Sequence, residues 1–285
     1  HYPLRRQRQM CIRDSSTCGR LSVRVSASGA SAIGMLASRH AASLAEKCSR
    51  YWTPERLRTL CGGKDLPLSP DKTGAPPLLR VLGLMGADGR IGSEAVRKFT
   101  QINHLVLEME RELSLHTSRS TKRPMRIVEY AAGQSHLSLL LAYAASHRWQ
   151  RSAHILAVDR DVKRLLKAQE RAHILGFDHM VRYRGCDLQD VGDWADEYAR
   201  AFPSATHAGP PHCAVALHAC DTATDLALAQ GLRSKAAVIA VAPCCQAELS
   251  RKWSELAARK GGSPHPLGLI HWMPNLRTDA AGLIT

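Results

Sequence analysis

Residues 126–147 read Arg-Ile-Val-Glu-Tyr-Ala-Ala-Gly-Gln-Ser-His-Leu-Ser-Leu-Leu-Leu-Ala-Tyr-Ala-Ala-Ser-His. Arg126 to Tyr130 is a short strand candidate, and Ser135 to His147 reads as a helix. Between them Ala131, Gly133 and Ser135 are small. They let the backbone turn sharply and let a ligand approach without meeting a side chain. Strand, tight turn and helix in that order open a parallel βαβ unit. Taken alone, the turn is equally consistent with an ordinary connection between a strand and a helix.

Downstream the alternation continues. His154 to Val158 reads as a strand, and Val162 to Leu175 as a helix closed by Gly176. Met180 to Arg184 is a third strand. A loop with Gly209, Pro210 and Pro211 leads to a strand from Cys213 to His218. Thr222 to Leu232 is a helix, with Thr222 and Asp225 spaced as a capping box. Ala236 to Ala242 is a buried strand, and Gln246 to Lys260 a helix closed by Gly261. Strands separated by helices predict an α/β, Rossmann-like, doubly wound sheet with right-handed crossovers. Ligands bind such sheets at the carboxyl ends of the strands, near the point where strand order reverses.

Upstream, Val96, Phe99, Ile102, Leu105, Val106, Met109 and Leu113 recur every three or four residues, one face of an amphipathic helix with Ser93 as its N-cap. Residues 61–92 carry Gly62, Gly63, Pro67, Pro70, Gly74, Pro76 and Pro77 and read as a linker. Residues 1–60 read as a helical or disordered extension, with one or two short helices between Leu36 and Leu60. Met10 to Ser15 resembles a translated sequencing-adapter remnant, so residues 1–20 are set aside. Residues 20–45 are rich in Ser, Ala and Arg and contain no acid, the composition of an organelle transit peptide or of a disordered, partly artefactual terminus.

The formal net charge is +14. Residues 1–60 hold eleven Lys/Arg against three Asp/Glu, and the rest of the chain holds 28 against 22. More than half of the excess therefore lies outside residues 93–285, and what remains leans modestly toward an RNA substrate. No apolar run approaches a membrane span. The nine cysteines are scattered and form no secreted-style framework or paired zinc-binding motif, so a reducing, cytoplasmic compartment and no metal are expected.

Each strand end carries candidate chemistry. Glu129, Ala131, Gly133 and Ser135 surround the first turn. Asp159 follows the second strand, 26 residues after Gly133, where a carboxylate can accept hydrogen bonds from a ribose diol. Asp159 could instead cap the next helix, but Asp161 could serve there equally well. Asp187 follows the third strand and could meet an adenine amino group, or be a surface loop acid. His218, Asp221, Thr222, Thr224 and Asp225 cluster after the fourth strand. His218 is either a catalytic base or a satisfied core histidine, and at least one of the two acids is expected to cap. Cys244 and Cys245 follow the fifth strand and suit small buried hydrophobes.

The phrases Leu-His-Ala-Cys-Asp-Thr-Ala-Thr-Asp (Leu217–Asp225) and Pro-Cys-Cys-Gln (Pro243–Gln246) give these motifs a family likeness. With Arg97 to Ile102 upstream, the stretch Lys98 to Leu256 resembles the S-adenosylmethionine (SAM)-dependent methyltransferase domain family. That family includes bacterial proteins and the eukaryotic methyltransferase-like protein 25 group. A more distant likeness is to tRNA 2′-O-methyltransferases carrying His-x-Cys-Gly and Cys-Cys-His-His segments. Here Asp221 stands for that glycine and Gln246-Ala247 for the two histidines. The first turn is similar to the family's acidic-plus-three-glycine motif, with Ala131 and Ser135 in place of two glycines.

The resemblance implies a class I methyltransferase fold over residues 93–285. SAM would be bound by Glu129, Ala131, Gly133, Ser135, Asp159 and Asp187, with its methyl group directed to the rim at His218 and Asp221. His218 is the best candidate base, since imidazole titrates near neutral pH, and Asp221 could orient it or replace it. The implied activity is methyl transfer to an acceptor, with tRNA or rRNA favoured. Two other readings stay open: a SAM-binding, non-catalytic factor associated with RNA or ribosomes, and an NAD-dependent dehydrogenase, against which the absence of Gly-x-Gly-x-x-Gly counts. The fold is expected to be incomplete at the C-terminus, with Leu267 to Trp272 its last strand candidate.

Overall fold

The computed structural model describes residues 43–116, 123–205, 209–217, 219 and 221–242. Three short helices come first: α1 over 43–51, α2 (Pro54–Cys61) and α3 (Ala75–Val81). A long helix, α4 (Ser93–His116), leads to strand β1 (Met125–Tyr130). Helix α5 (His136–Tyr143) runs into a π-helical turn, Ala144–Arg148. Strand β2 (Ala153–Asp159), helix α6 (Val162–Ile174) and strand β3 (Val181–Gly185) follow. Helix α7 (Trp194–Ala201), strand β4 (Cys213–Leu217), helix α8 (Thr222–Arg233) and strand β5 (Val238–Ala242) complete the described chain.

The five strands are parallel and lie in the order β3-β2-β1-β4-β5. The chain builds outward from β1 through β2 to β3, then returns to the other side of β1 for β4 and β5. Strand order therefore reverses between β1 and β4. Tyr130 pairs with Val158, Val158 with Arg184 and Asp159 with Gly185, so the carboxyl ends of the first three strands lie level. This is the Rossmann-like sheet that the alternating pattern predicts.

Period-two alternation divides the sheet's side chains between two cores. Ile127, Ile155, Val181, Cys213 and Val215 pack with Leu137, Leu139 and Leu141 on one face. Val128, Leu156, Val158, Ala214 and Ala216 pack with Trp194, Tyr198 and Phe202 on the other. Helix α6 shows the sequence logic. Asp161 caps it by accepting from the Arg164 amide at 3.2 Å, Leu165, Ala168 and Ala172 form its buried stripe, and Gly176 leaves it in a left-handed conformation.

Three features of the fold depart from the expectations or add to them. Residues 61–92 are not a linker. Leu66, Leu68, Leu78, Leu79, Leu84 and Met85 are buried in the core that includes Phe99, Val106 and Tyr143. The Tyr143 hydroxyl donates toward Pro67 O (3.3 Å) and Thr73 O (3.1 Å), and the Leu68 amide donates to Oδ1 of the fully buried Asn103 at 2.8 Å. Pro76 and Pro77 sit in the first turn of α3 and start it rather than break it, because the amides of that turn have no intrahelical partner. Helices α1 and α2 also belong to this layer, through buried Leu44, Cys48 and Cys61. Second, residues 194–201 form α7. Asp193 caps it by accepting from the Ala195 amide at 2.8 Å, and Trp194, Tyr198 and Phe202 recur every fourth residue on its buried side. A buried side chain such as Phe202 contributes roughly 1.5–3 kcal/mol. Third, Thr222 and Asp225 do not form a capping box: α8 begins at Thr222, and Asp221 holds the N-cap position without a side-chain cap bond. Among the described residues no helix is long and apolar enough to cross a membrane. His218, Pro243–Gln246, the helix from Gln246 to Lys260, the strand from Leu267 to Trp272 and residues 1–42 lie outside the described residues.

Candidate active site

The turn after β1 is built from left-handed backbone. Ala131, Gly133 and Ser135 have φ of 53°, 56° and 54°. A non-glycine residue in that region carries roughly 1–2 kcal/mol of strain. Ala131 and Ser135 therefore hold the conformation that glycine adopts freely, and the backbone path of a three-glycine turn is kept without two of the glycines. A Cβ on Gly133 would meet nothing within 4 Å, so the turn faces open space there.

Asp159, at the end of β2, ties this turn to the next strand. Its Oδ2 accepts from the Gly133 amide at 2.7 Å and its Oδ1 from the Asp161 amide at 2.7 Å. A carboxylate has about four acceptor positions, so each oxygen keeps one for a ligand. Asp161 takes the capping role and leaves Asp159 on the rim.

Glu129 lies one residue before the end of β1, on the face toward α5. It is 2% exposed, and its Oε2 accepts from both the amide and the hydroxyl of Ser138, the former at 2.9 Å. Burial pushes its carboxyl up to about 7, against the pull of the Ser138 hydrogen bonds, and the Asp159 charge adds to the rise. Asp187, two residues beyond β3, accepts from the Gln189 amide at 3.2 Å and so caps the short 3-10 turn Leu188–Asp190. Asp221 stands at φ 56°, ψ −134°, a strained conformation at the start of α8.

These residues surround one cleft of about 770 Å³ at the carboxyl edge of the sheet, at the reversal between β1 and β4. Its size is that of a small-molecule site. Glu129, Ala131, Gly133, Asp159, Asp187 and Asp221 all line it. Ser135 does not: it is fully buried behind the turn. His218 is outside the described residues, but its neighbours Leu217 and Ala219 line the cleft. Leu188, Leu217 and Leu226 supply apolar wall. Of the five non-glycine residues at positive φ among the described residues, Ala131, Ser135 and Asp221 sit at this site. Such strain gathers where a structure holds backbone in place for a ligand.

Sequence reasoning passes over His136, which lines the cleft from the first turn of α5. Burial lowers its pKa to about 4, and the charges of Arg171 and Lys98 lower it further, so the imidazole is neutral at pH 7. Arg171 Nη1 lies 2.9 Å from Gln134 Oε1 and 3.3 Å from His136 Nε2, bracing the turn from α6. A lone histidine at the head of an apolar helix is the only local signal.

Comparison with known proteins gives a family. The family described as "Methyltransferase domain" matches residues 97–252. A glutathione S-transferase C-terminal domain-containing protein of Xenopus laevis is 29% identical over 160 residues, 56% of this chain and 21% of that protein. Its Drosophila melanogaster homolog is 32% identical over 124 residues, 44% of this chain and 17% of that protein. The chain thus spans about a fifth of the length of the curated relatives it matches. An uncharacterized protein from Listeria monocytogenes serotype 4b has a solved structure with a TM-score of 0.34 and 17% identity, covering 53% of this chain and 56% of that one. A turn of three left-handed residues, a carboxylate at the end of β2 and a family match across more than half of the sequence converge: the chain belongs to the methyltransferase domain family.

Proposed function

We propose that the chain is a SAM-dependent methyltransferase whose cofactor occupies the cleft at the carboxyl edge of the sheet. The observation that carries this reading is the Asp159 carboxylate, held against the Gly133 amide with an acceptor position free on each oxygen. The charge of the cleft supports it as well. Glu129, Asp159, Asp161, Asp187 and Asp221 outnumber Arg160 and Arg164 around it, which suits a cofactor bearing a sulfonium and an ammonium. Against the dehydrogenase reading stands the first turn, Ala131-Ala132-Gly133-Gln134-Ser135, which lacks Gly-x-Gly-x-x-Gly. The replaced glycines, which are compatible with a non-catalytic factor, do not change the left-handed path of the turn at Ala131 and Ser135.

In this reading Asp159 holds the ribose, Asp187 and the apolar Leu188 and Leu217 receive the base, and the open face of Gly133 admits the rest of the cofactor. SAM, when bound, supplies a methyl group to an acceptor nucleophile and leaves as S-adenosylhomocysteine. The chain's part is alignment of the acceptor and removal of its proton. His218 is the group proposed to take that proton, with Asp221 beside it in sequence to orient or replace it. RNA is the proposed acceptor, supported by the modest excess of 28 Lys/Arg over 22 Asp/Glu in residues 61–285 and by exposed Arg160 on the rim.

The test is SAM binding by calorimetry on the wild type and Asp159→Ala, followed by turnover with tRNA and rRNA for the wild type and His218→Ala. The expected result is binding weakened at least tenfold by Asp159→Ala, and turnover lost but binding kept in His218→Ala. Equal SAM affinity in wild type and Asp159→Ala would refute the assignment of the cleft. Undiminished turnover in His218→Ala would remove that residue from the chemistry.

A further inference from the structure

The edge of the sheet opposite the cleft has the reverse charge. The second residue of β1 is Arg126, of β2 His154 and of β3 Arg182, and His212 immediately precedes β4. The parallel strands bring these residues together although they are spread over nearly ninety positions of sequence. The Arg126 amide donates to His212 Nδ1 at 2.9 Å, and Arg126 Nε donates to Pro210 O at 2.9 Å. His154 stacks flat on Phe202, with ring centroids 4.2 Å apart, and the Arg182 guanidinium lies 5.9 Å from the centroid of the same ring. Arg123, His179 and Arg182 are exposed.

These cations act on one another. After burial, the charges that lower the His154 pKa come from Arg182, Arg126 and His179, and those that lower His212 come from Arg126 and Arg151. Among the described residues no ion pair reaches Arg123, Arg126 or Arg182. Elsewhere in the molecule Arg148, Arg164, Arg184 and Arg200 each find a carboxylate. Three guanidiniums with no carboxylate partner among the described residues thus lie along one edge.

We propose that this edge binds the phosphate backbone of RNA, as a second contact remote from the cleft. Guanidinium matches phosphate geometry and pairs with it by two hydrogen bonds. Strands of five to seven residues, rising about 3.3 Å per residue, put the edge roughly 20 Å from the cleft. A structured RNA can reach both, and a dinucleotide cannot. The choice of RNA over other polyanions rests on the RNA-acceptor reading above.

The test is fluorescence anisotropy with a labelled tRNA transcript across a salt titration, on the full chain and on Arg123→Gln/Arg182→Gln. Both side chains are exposed and neither lines the cleft. The expected result is at least tenfold weaker RNA binding, with the slope of log affinity against log salt reduced by about 1.5, from about 0.7–0.9 for each phosphate no longer neutralised. SAM affinity and melting temperature should be unchanged. Unchanged RNA affinity and slope in a folded double variant would overturn the proposal, as would failure of the wild type to bind RNA. Wild-type binding to phosphatidylserine vesicles, without RNA binding, would assign the edge to a membrane surface and also overturn it. RNA binding that depends on the two arginines in a protein that does not bind SAM would keep this site and sink the cofactor reading instead.

Discussion

Replacing Glu129 with Gln tests the electrostatics of the site through stability. The carboxyl is 2% exposed, and burial pushes its pKa to about 7 in the folded protein. In the unfolded chain it titrates near its ordinary value of about 4.3. Below that value the group is protonated in both states and costs nothing. As pH rises through the window between the two values, the unfolded chain releases its proton first, and the folded state loses stability relative to it. Above about pH 8 both forms are ionised and the loss is complete. A gap of two to three pH units at 1.36 kcal/mol per unit makes that loss about 3 kcal/mol. The substituted amide cannot ionise, and its carbonyl still accepts from the Ser138 amide. Melts of wild type and Glu129→Gln should coincide near pH 4.5 and separate by roughly 6–12 °C in favour of the variant at pH 8, at about 2–4 °C per kcal/mol for a domain of this size. A difference that does not change with pH, or a variant less stable at pH 8, would show that Ser138 and the surroundings already satisfy the charged carboxylate.

Two further substitutions probe the turn and the helical layer. Ala131→Gly removes left-handed strain at φ 53° while adding freedom to the unfolded chain, so differential scanning calorimetry should find it neutral or up to about 1 kcal/mol more stable; a loss above that would mean the Ala131 methyl packs in a way the turn geometry does not reveal. Asn103→Ala orphans the Leu68 amide and should cost about 1–3 kcal/mol in urea unfolding. A neutral result would return residues 61–92 to the status of a loosely held connection.

Much of the fold and of the site is legible in the sequence because it is local. Glycine-like turns, carboxylates at strand ends and apolar runs of strand length announce a parallel sheet and its ligand edge. Asp159 can be separated from Asp161 because two acids stand where one cap is needed. The stretches that are misread, or left without an element, have physical causes. In residues 61–92 proline and glycine dominate the local signal, while the burial of Leu66, Leu68, Leu78 and Leu79 depends on α4 and α5, which come later in the chain. In α7 three aromatic residues four apart are outweighed by the polar residues between them and the proline pair downstream. The small side chain of Ser135 predicts a place at the cleft, but its left-handed backbone turns that side chain into the core. The neutral state of His136 depends on its burial first and then on the charges of Arg171 and Lys98, and the cationic edge is assembled from strand starts that only the sheet brings together.

The bond from the Tyr143 hydroxyl to Pro67 O spans 76 residues. A ribosome adding about 5–20 residues per second takes roughly 4–15 s to cover that interval. Leu66, Leu68, Leu78 and Leu79 leave the ribosome ahead of both α4 and α5, the two helices that complete their core. Slowing translation between residues 67 and 143 would therefore lengthen the time for which this apolar layer awaits α5.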